Sequence, residues 1–96
     1  MQFLHKARYL KRFDRFQRHD QLLIDETERQ IRAYYQTRQA PVGLRIKQLF
    51  ATGAEKVCEA RASQAIRIIW VESSELVSFA LIGNHDEVRR YLRSLR

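Results

Sequence analysis

Four side chains in the second half of the chain could together act on a phosphodiester: the carboxylate of Glu59, the guanidiniums of Arg61 and Arg67, and the imidazole of His85. Cleavage of RNA through its own 2′-hydroxyl needs a base for the hydroxyl proton, a cation to stabilise the phosphorane, and an acid for the leaving 5′-oxygen. These residue types predict Glu59 as the base and His85 as the acid. Arg61 and Arg67 would form the phosphate clamp, because the planar donor fork of arginine matches phosphate oxygens.

Each of these residues also has a purely structural explanation. Glu59 and Arg61 could form only a cross-strand ion pair, which contributes about 0–1 kcal/mol when exposed. His85 could simply begin a helix. The predicted reaction uses no metal or cofactor, and no Cys/His spacing resembles a zinc site. The placement of the four side chains therefore decides between the two explanations.

Three runs rich in Val, Ile, Ala and aromatic residues carry these side chains, and short polar connectors separate the runs. They cover Lys56 to Ala62, Ile66 to Glu72 and Leu76 to Gly83, which predicts an antiparallel meander. Strand alternation places Glu59 and Arg61 on one face and Cys58 on the other. We expect the face with Glu59 to be open, and Arg67 to lie there exposed. On that basis, loss of Arg67 would leave folding nearly unchanged.

The remaining elements are predicted to be mostly helical. Apolar residues at three- and four-residue steps predict a helix from Ala7 to Gln17, and Asp20 is the expected N-cap of a second helix that runs to about Arg38. Pro41 and Gly43 end this helical half. Met1 to Lys6 favours a short edge strand. Asn84 is expected to cap a last helix, whose buried side comprises Val88, Tyr91, Leu92 and Leu95.

This order of elements predicts an α+β fold: an N-terminal helical hairpin packed on a small antiparallel sheet, with a closing C-terminal helix and all helices on one face. The 96 residues are enough for one domain, 1–96. No apolar run has the length of a membrane span, and the N-terminal residues do not have the pattern of a secretory signal. A single cysteine, Cys58, fits a reducing cytoplasm.

The net charge is +7, from 18 Lys and Arg against 11 Asp and Glu. Such an excess on a small domain favours an anionic partner, and two basic clusters favour a polyanion. The basic residues that we expect to bind RNA outside the four-residue site are Arg45, Lys47, Lys56, Arg89 and Arg90.

Three stretches of the chain resemble the C-terminal half of RelE/ParE-superfamily toxins: Glu59-Ala-Arg61, Ile66-Arg67-Ile-Ile-Trp70 and Leu81-Ile-Gly83-Asn-His85-Asp-Glu-Val88. The preceding helices resemble the family's helical hairpin. The resemblance implies a type II toxin that is held inactive by a cognate acidic antitoxin and inhibits translation by cutting mRNA, in many members in the ribosomal A site. It also implies that Arg67 stabilises the phosphate, that His85 fills the basic position after the sheet, and that Glu59 is the base.

The chain departs from the family pattern at two places. Members of the RelE type often carry Lys where this chain has Cys58 and Glu59, so this chain would be a Glu/His variant. The family's Tyr near the start of the last helix often stands where Arg89 lies here; Tyr91 follows two positions later and is expected more often in the core than in that role.

Two other functions remain open from the sequence. A ParE-like inhibitor of DNA gyrase would keep the fold and lack the ribonuclease chemistry, and shared fold does not settle shared function. A non-catalytic nucleic-acid-binding module would bind RNA or DNA in a salt-sensitive manner and release no product. A membrane-surface role for the basic first helix is less favoured, because its apolar residues are needed for the core.

Overall fold

The computed structural model describes residues 1–41 and 43–95 as three helices and one five-stranded sheet. In chain order the elements are β1 (Gln2–His5), α1 (Ala7–Arg15), α2 (Arg18–Thr37), β2 (Lys47–Thr52), β3 (Glu55–Arg61), β4 (Arg67–Ser73), β5 (Leu76–Gly83) and α3 (His85–Ser94). The spatial order of the strands is β1-β5-β4-β3-β2, and β2 to β5 pair antiparallel. The α+β fold predicted from the sequence is confirmed.

One face of the sheet forms the main core beneath α1 and α2. Trp70, Phe79 and Ile68 meet Tyr9 of α1 and Ile24 of α2 there, all nearly inaccessible to solvent. The indole of Trp70 donates a 2.8 Å hydrogen bond to the Tyr35 hydroxyl, which donates in turn to Glu72 at 2.7 Å. These polar groups are therefore hydrogen-bonded where they are buried, and directional hydrogen bonds as well as apolar contacts join α2 to the sheet.

The second face is not open, contrary to the expectation that all helices share one side. Val57, Ile69 and Leu81 lie on this face and cluster with Val88 of α3, while Tyr91 packs against them half-buried. These strand residues are apolar, so their face gains from a cover, and α3 follows the end of β5 closely enough to supply it. Leu95, predicted in the buried side of the last helix, is instead exposed.

Two further predictions about elements were wrong in detail. Asp20 is not an N-cap: α2 begins at Arg18, its N-cap is Gln17, and no side chain caps that end, so Asp20 lies inside the first turn. The sheet is not wholly antiparallel, because β1 pairs parallel with β5. The chain must return through both helices and three strands before β5 forms, and that long connection permits the parallel pairing.

The junction between β5 and α3 is as predicted, and it is tightly built. Asn84 accepts from the Glu87 backbone N–H at 2.9 Å, and the Glu87 carboxylate accepts from the Asn84 N–H at 3.1 Å, which completes a capping box. A Cβ at Gly83 would lie 2.9 Å from the Cβ of Glu87. Glycine at position 83 therefore allows the close approach that starts α3 directly after the strand.

Candidate active site

Glu59 and Arg67 meet as a buried ion pair on the face that α3 partly covers. Glu59 is opposite Ile69 in the β3–β4 pairing, and Arg67 is two residues before Ile69 on the same face. Their side chains join at 3.1 Å between Nη1 of Arg67 and Oε1 of Glu59. Only 14% of the Arg67 side chain and 8% of the Glu59 side chain remain exposed. Both lie on the predicted face, but the expectation that Glu59 faces solvent and that Arg67 is exposed was wrong, because this face is not open and the two side chains pair with each other on it.

A cavity of about 420 Å³ opens beside this pair. Its lining residues are Gly43, Arg45, Lys47, Glu59, Arg61 and Arg67. Five residues that the sequence singled out for chemistry or RNA binding are thus brought together. Four of them are basic and one is acidic, so the cavity presents cations around a single carboxylate that is already paired. Such a setting attracts an anion and supplies guanidinium donors to it.

His85 lies at the same end of the sheet but is not part of the cavity lining. It is the first residue of α3 and is exposed. Its position relative to the pair follows from the register: Gly83, two residues earlier, is opposite Arg67 in the β4–β5 pairing. Asn84 and Glu87 fix the start of α3, and with it the backbone of His85.

Three of the predicted RNA-binding residues lie elsewhere. Lys56 is exposed near the start of β3. It lies two residues before Cys58 and shares the face of Cys58, which is opposite to the face of Glu59. Arg89 and Arg90 border a shallow depression of about 290 Å³ on the outer side of α3, together with Asp86 and Arg93. The structure does not bring these three residues to the cavity beside Glu59.

The sequence reasoning did not identify a second basic cavity, which lies between α1 and α3. This α1–α3 cleft has a volume of about 550 Å³. Its lining residues are Arg8, Lys11, Arg12, Arg15, Leu81, Glu87, Arg90, Tyr91 and Ser94. The signal was present in the spacing of the four α1 residues, which recur at three- and four-residue steps and therefore share one helix face. Only the apolar residues between them had been used, to predict the helix.

Tyr91 is placed in this α1–α3 cleft. Its ring lies 5.8 Å from the guanidinium carbon of Arg8, and it also packs against the apolar cluster on the second face. Partial burial raises the pKa of the Tyr91 hydroxyl, while the nearby Arg8 acts in the opposite direction. Tyr91 thus packs against the apolar cluster and also places its aromatic ring beside a basic side chain of the cleft.

Cys58 is a free thiol on the face of the sheet that α1 and α2 cover. Burial raises its pKa from 9.0 to about 11, so the thiol is protonated at neutral pH. Among residues 1–41 and 43–95, no three His, Cys, Asp or Glu side chains are grouped so that they could hold a metal ion. In the same part of the chain, no helix is long and apolar enough to cross a membrane.

With this geometry, the chain has the fold of RelE-, YoeB- and ParE-type toxins. The archaeal RelE–RelB complex from Pyrococcus horikoshii OT3 matches with a TM-score of 0.68 at 12% identity, over 86% of this chain and 92% of that chain. The YoeB/ParE toxin from Agrobacterium tumefaciens matches with a TM-score of 0.64 at 16% identity, over 88% and 99%. The toxin in the Escherichia coli DinJ–YafQ toxin–antitoxin complex matches with a TM-score of 0.57 at 14% identity, over 90% and 93%.

The family resemblance predicted from three short stretches is thus confirmed at the level of the fold. No protein-family model matches the sequence. No curated protein matches it either.

Proposed function

We propose that this chain is the toxin of a type II toxin–antitoxin pair and acts as an endoribonuclease that cuts mRNA and so inhibits translation in the cytoplasm. The observation that carries the proposal is the buried Glu59–Arg67 ion pair at the edge of a cavity otherwise lined by basic side chains. A carboxylate base and a guanidinium are held side by side where a phosphate would be attracted. These are two of the three groups that cleavage through the 2′-hydroxyl requires; the third is the acid.

In the proposed reaction, Arg45 and Lys47 draw the RNA backbone into the cavity, and the scissile phosphate takes the place of Glu59 on the Arg67 fork. Glu59, released from its ion pair, accepts the 2′-hydroxyl proton. The 2′-oxygen attacks phosphorus while the bond to the 5′-oxygen breaks, and Arg61 and Arg67 stabilise the added negative charge. The products are a 2′,3′-cyclic phosphate, which can open to a 3′-phosphate, and a 5′-hydroxyl.

His85 is the proposed donor of the proton to the leaving 5′-oxygen. The side chain is exposed at the start of α3, outside the cavity lining. Its role therefore requires the leaving strand to pass from the cavity toward the N-terminus of α3. A helix start that is fixed by a capping box suits this role, because it holds the backbone of the acid while the ring remains free to reach the substrate.

We also propose an acidic antitoxin as the partner of this chain. The net charge of +7 supports it, and two of the three similar structures described above are complexes, one of RelE with RelB and one of the DinJ–YafQ toxin–antitoxin pair. A disordered acidic segment that folds on binding can cover a large basic surface. Co-expression with a short acidic reading frame encoded beside this one should give a complex that survives purification. Separate elution of the two proteins at low salt would contradict the pairing.

Primer extension on mRNA from cells that express the chain tests the ribonuclease directly. We expect discrete cuts with the wild type, and a loss of about 10²–10⁴ in cleavage rate with Glu59→Gln or His85→Gln, because each keeps the size of the side chain and removes proton transfer. Arg29→Gln on the outer face of α2 is the control and should cut like the wild type. Toxicity with intact mRNA and broken DNA would support the gyrase inhibitor instead. Salt-sensitive RNA binding without any product would support the non-catalytic module.

A further inference from the structure

The α1–α3 cleft is a second concentration of positive charge that the proposed reaction does not use. Arg8, Lys11, Arg12 and Arg15 enter it from α1, and Arg90 enters it from α3. Glu87 is the one acidic residue in its lining. Across the part of the chain that the structure describes, Arg8, Lys11 and Arg15 form no ion pair. Their charges are therefore available to a ligand.

An ion pair joins the two walls of the cleft. Nη2 of Arg12 donates to Oε1 of Glu87 at 2.8 Å, and the same carboxylate takes part in the capping box of α3. The contact pairs the charge of Glu87, and the other charged residues of the lining are all basic. Nε of Arg12 is buried and has no hydrogen-bond partner. A basic cleft whose only carboxylate is already paired selects for an anionic ligand.

The dimensions and the chemistry of the cleft fit a chain of phosphates. From residue 8 to residue 15 a helix rises about 10 Å, and a nucleic-acid strand carries a charge about every 3.4 Å of helix axis. The stripe is thus long enough for more than one phosphate. Tyr91 at the wall of the cleft adds an aromatic ring next to the Arg8 guanidinium. Basic grooves with aromatic rings are typical of sites that hold single-stranded nucleic acid.

One lining residue of the cleft and one of the cavity beside Glu59 share a face of the sheet. Glu59, Ile69 and Leu81 are consecutive partners across β3, β4 and β5. Glu59 lines the cavity and Leu81 lines the cleft, and the backbones of these two residues are about two strand spacings, or roughly 10 Å, apart. An RNA strand whose scissile phosphate lies in the cavity can therefore place neighbouring phosphates in the cleft. This continuity with the proposed reaction favours RNA as the ligand, and the test below distinguishes RNA from an acidic polypeptide.

We infer that the α1–α3 cleft binds the phosphate backbone of the RNA outside the scissile position, with Arg8, Lys11 and Arg15 as its phosphate contacts. The inference rests on the proposed function in that the ligand is RNA, and it concerns binding rather than cleavage. Arg12 belongs to the framework of the cleft through its pair with Glu87, so it is left unchanged in the test.

The test measures binding of a short, fully 2′-O-methylated RNA by fluorescence anisotropy over a series of salt concentrations. This RNA keeps its phosphates but has no 2′-hydroxyl to attack. The test protein is Arg8→Gln/Lys11→Gln, and the matched control is Arg18→Gln/Arg29→Gln, which removes the same charge from exposed positions on α2. For the cleft variant we expect the slope of log affinity against log salt to flatten by about 0.7 per lost contact, and binding to weaken at low salt. The control should follow the wild type.

A cleft variant that binds the RNA like the control would overturn the inference. A polyglutamate peptide provides a second arm: if the cleft variant loses affinity for it as strongly as for RNA, the cleft recognises acidic polypeptide and the assignment to RNA fails. Because the methylated RNA cannot be cut, a chain without ribonuclease activity can still show the cleft effect. Conversely, an active ribonuclease with an unaffected cleft variant would refute only the inference.

Discussion

At the scale of single residues, the Glu59–Arg67 pair has consequences for stability as well as for chemistry. Both side chains are largely removed from solvent, so truncation of one leaves a buried charge without its partner. Arg67→Ala should therefore lower the free energy of unfolding by about 3–5 kcal/mol in addition to abolishing cleavage. The sequence alone had suggested inactivity with an intact fold.

The matched variant is Glu59→Gln/Arg67→Ala, in which the uncompensated charge is gone. We expect it to recover a substantial part of the lost stability and to remain inactive, because neither the base nor the clamp is present. Denaturant unfolding of the two variants, followed by circular dichroism, makes the comparison. An Arg67→Ala protein as stable as the wild type would contradict the burial of this ion pair.

A second prediction at the residue scale concerns alkaline pH. Burial raises the pKa of Cys58 from 9.0 to about 11, and burial is also the main cause of the raised pKa values of Tyr9 and Tyr35. The folded state thus holds these protons more tightly than the unfolded state. The stability they provide is complete below pH 9 and is lost as pH rises, for Cys58 between pH 9 and 11.

The contribution of Cys58 is measurable by comparison with Cys58→Ala. A pKa difference of two units between the folded and unfolded states corresponds to about 3 kcal/mol. Between pH 9 and 11 the free energy of unfolding of the wild type should therefore fall by up to this amount more than that of the variant. The absolute stability of the variant also changes because a sulfur atom is removed from the core, so the slopes against pH are compared rather than the values. Parallel slopes would show that ionisation of Cys58 does not oppose folding.

At the scale of elements, Glu87 links the start of α3 to α1. Its carboxylate accepts from the Asn84 backbone and from Arg12. We expect Glu87→Ala to destabilise the fold by about 1–3 kcal/mol, because the capping box and the contact to Arg12 are lost together. Glu87→Gln can keep the capping hydrogen bond and removes only the charge, so the destabilisation should be smaller. Thermal unfolding distinguishes the two variants; equal losses would mean that the cap contributes nothing.

The sequence predicted the elements much better than their arrangement. Periodicity identified both N-terminal helices, the composition of the three runs identified the meander, and residue type identified the Asn84 cap. All of these depend on neighbours a few residues away. The side of the sheet that α3 covers depends instead on contacts of Val88 with Val57 and Ile69, which are distant in sequence. For the same reason strand alternation placed Glu59 and Arg67 on one face but could not show that they bury each other.

At the scale of the whole molecule, much of the positive charge lines two neighbouring sites, the cavity beside Glu59 and the α1–α3 cleft. Arg45, Lys47, Arg61 and Arg67 surround the cavity beside Glu59, and the α1 residues line the cleft next to it. The sequence had already predicted the first set, Arg61 and Arg67 for the chemistry and Arg45 and Lys47 for RNA binding. The spacing of the α1 residues indicates that they share one helix face. The cleft itself could be found only after the packing of α1 beside α3 was known, because its two walls come from residues such as Arg12 and Glu87 that are more than seventy positions apart.

The proposal that this molecule cuts RNA through the 2′-hydroxyl is tested most directly with two oligonucleotides that differ by one atom. Both carry a cleavage position mapped by primer extension, and one of them has a 2′-deoxy sugar there. We predict that the wild type cuts the ribose version, leaves a 2′,3′-cyclic or 3′-phosphate, and does not cut the deoxy version at that position. Cleavage of both at equal rates, or a product that ends in a 3′-hydroxyl, would contradict the proposed roles of Glu59, Arg67 and His85.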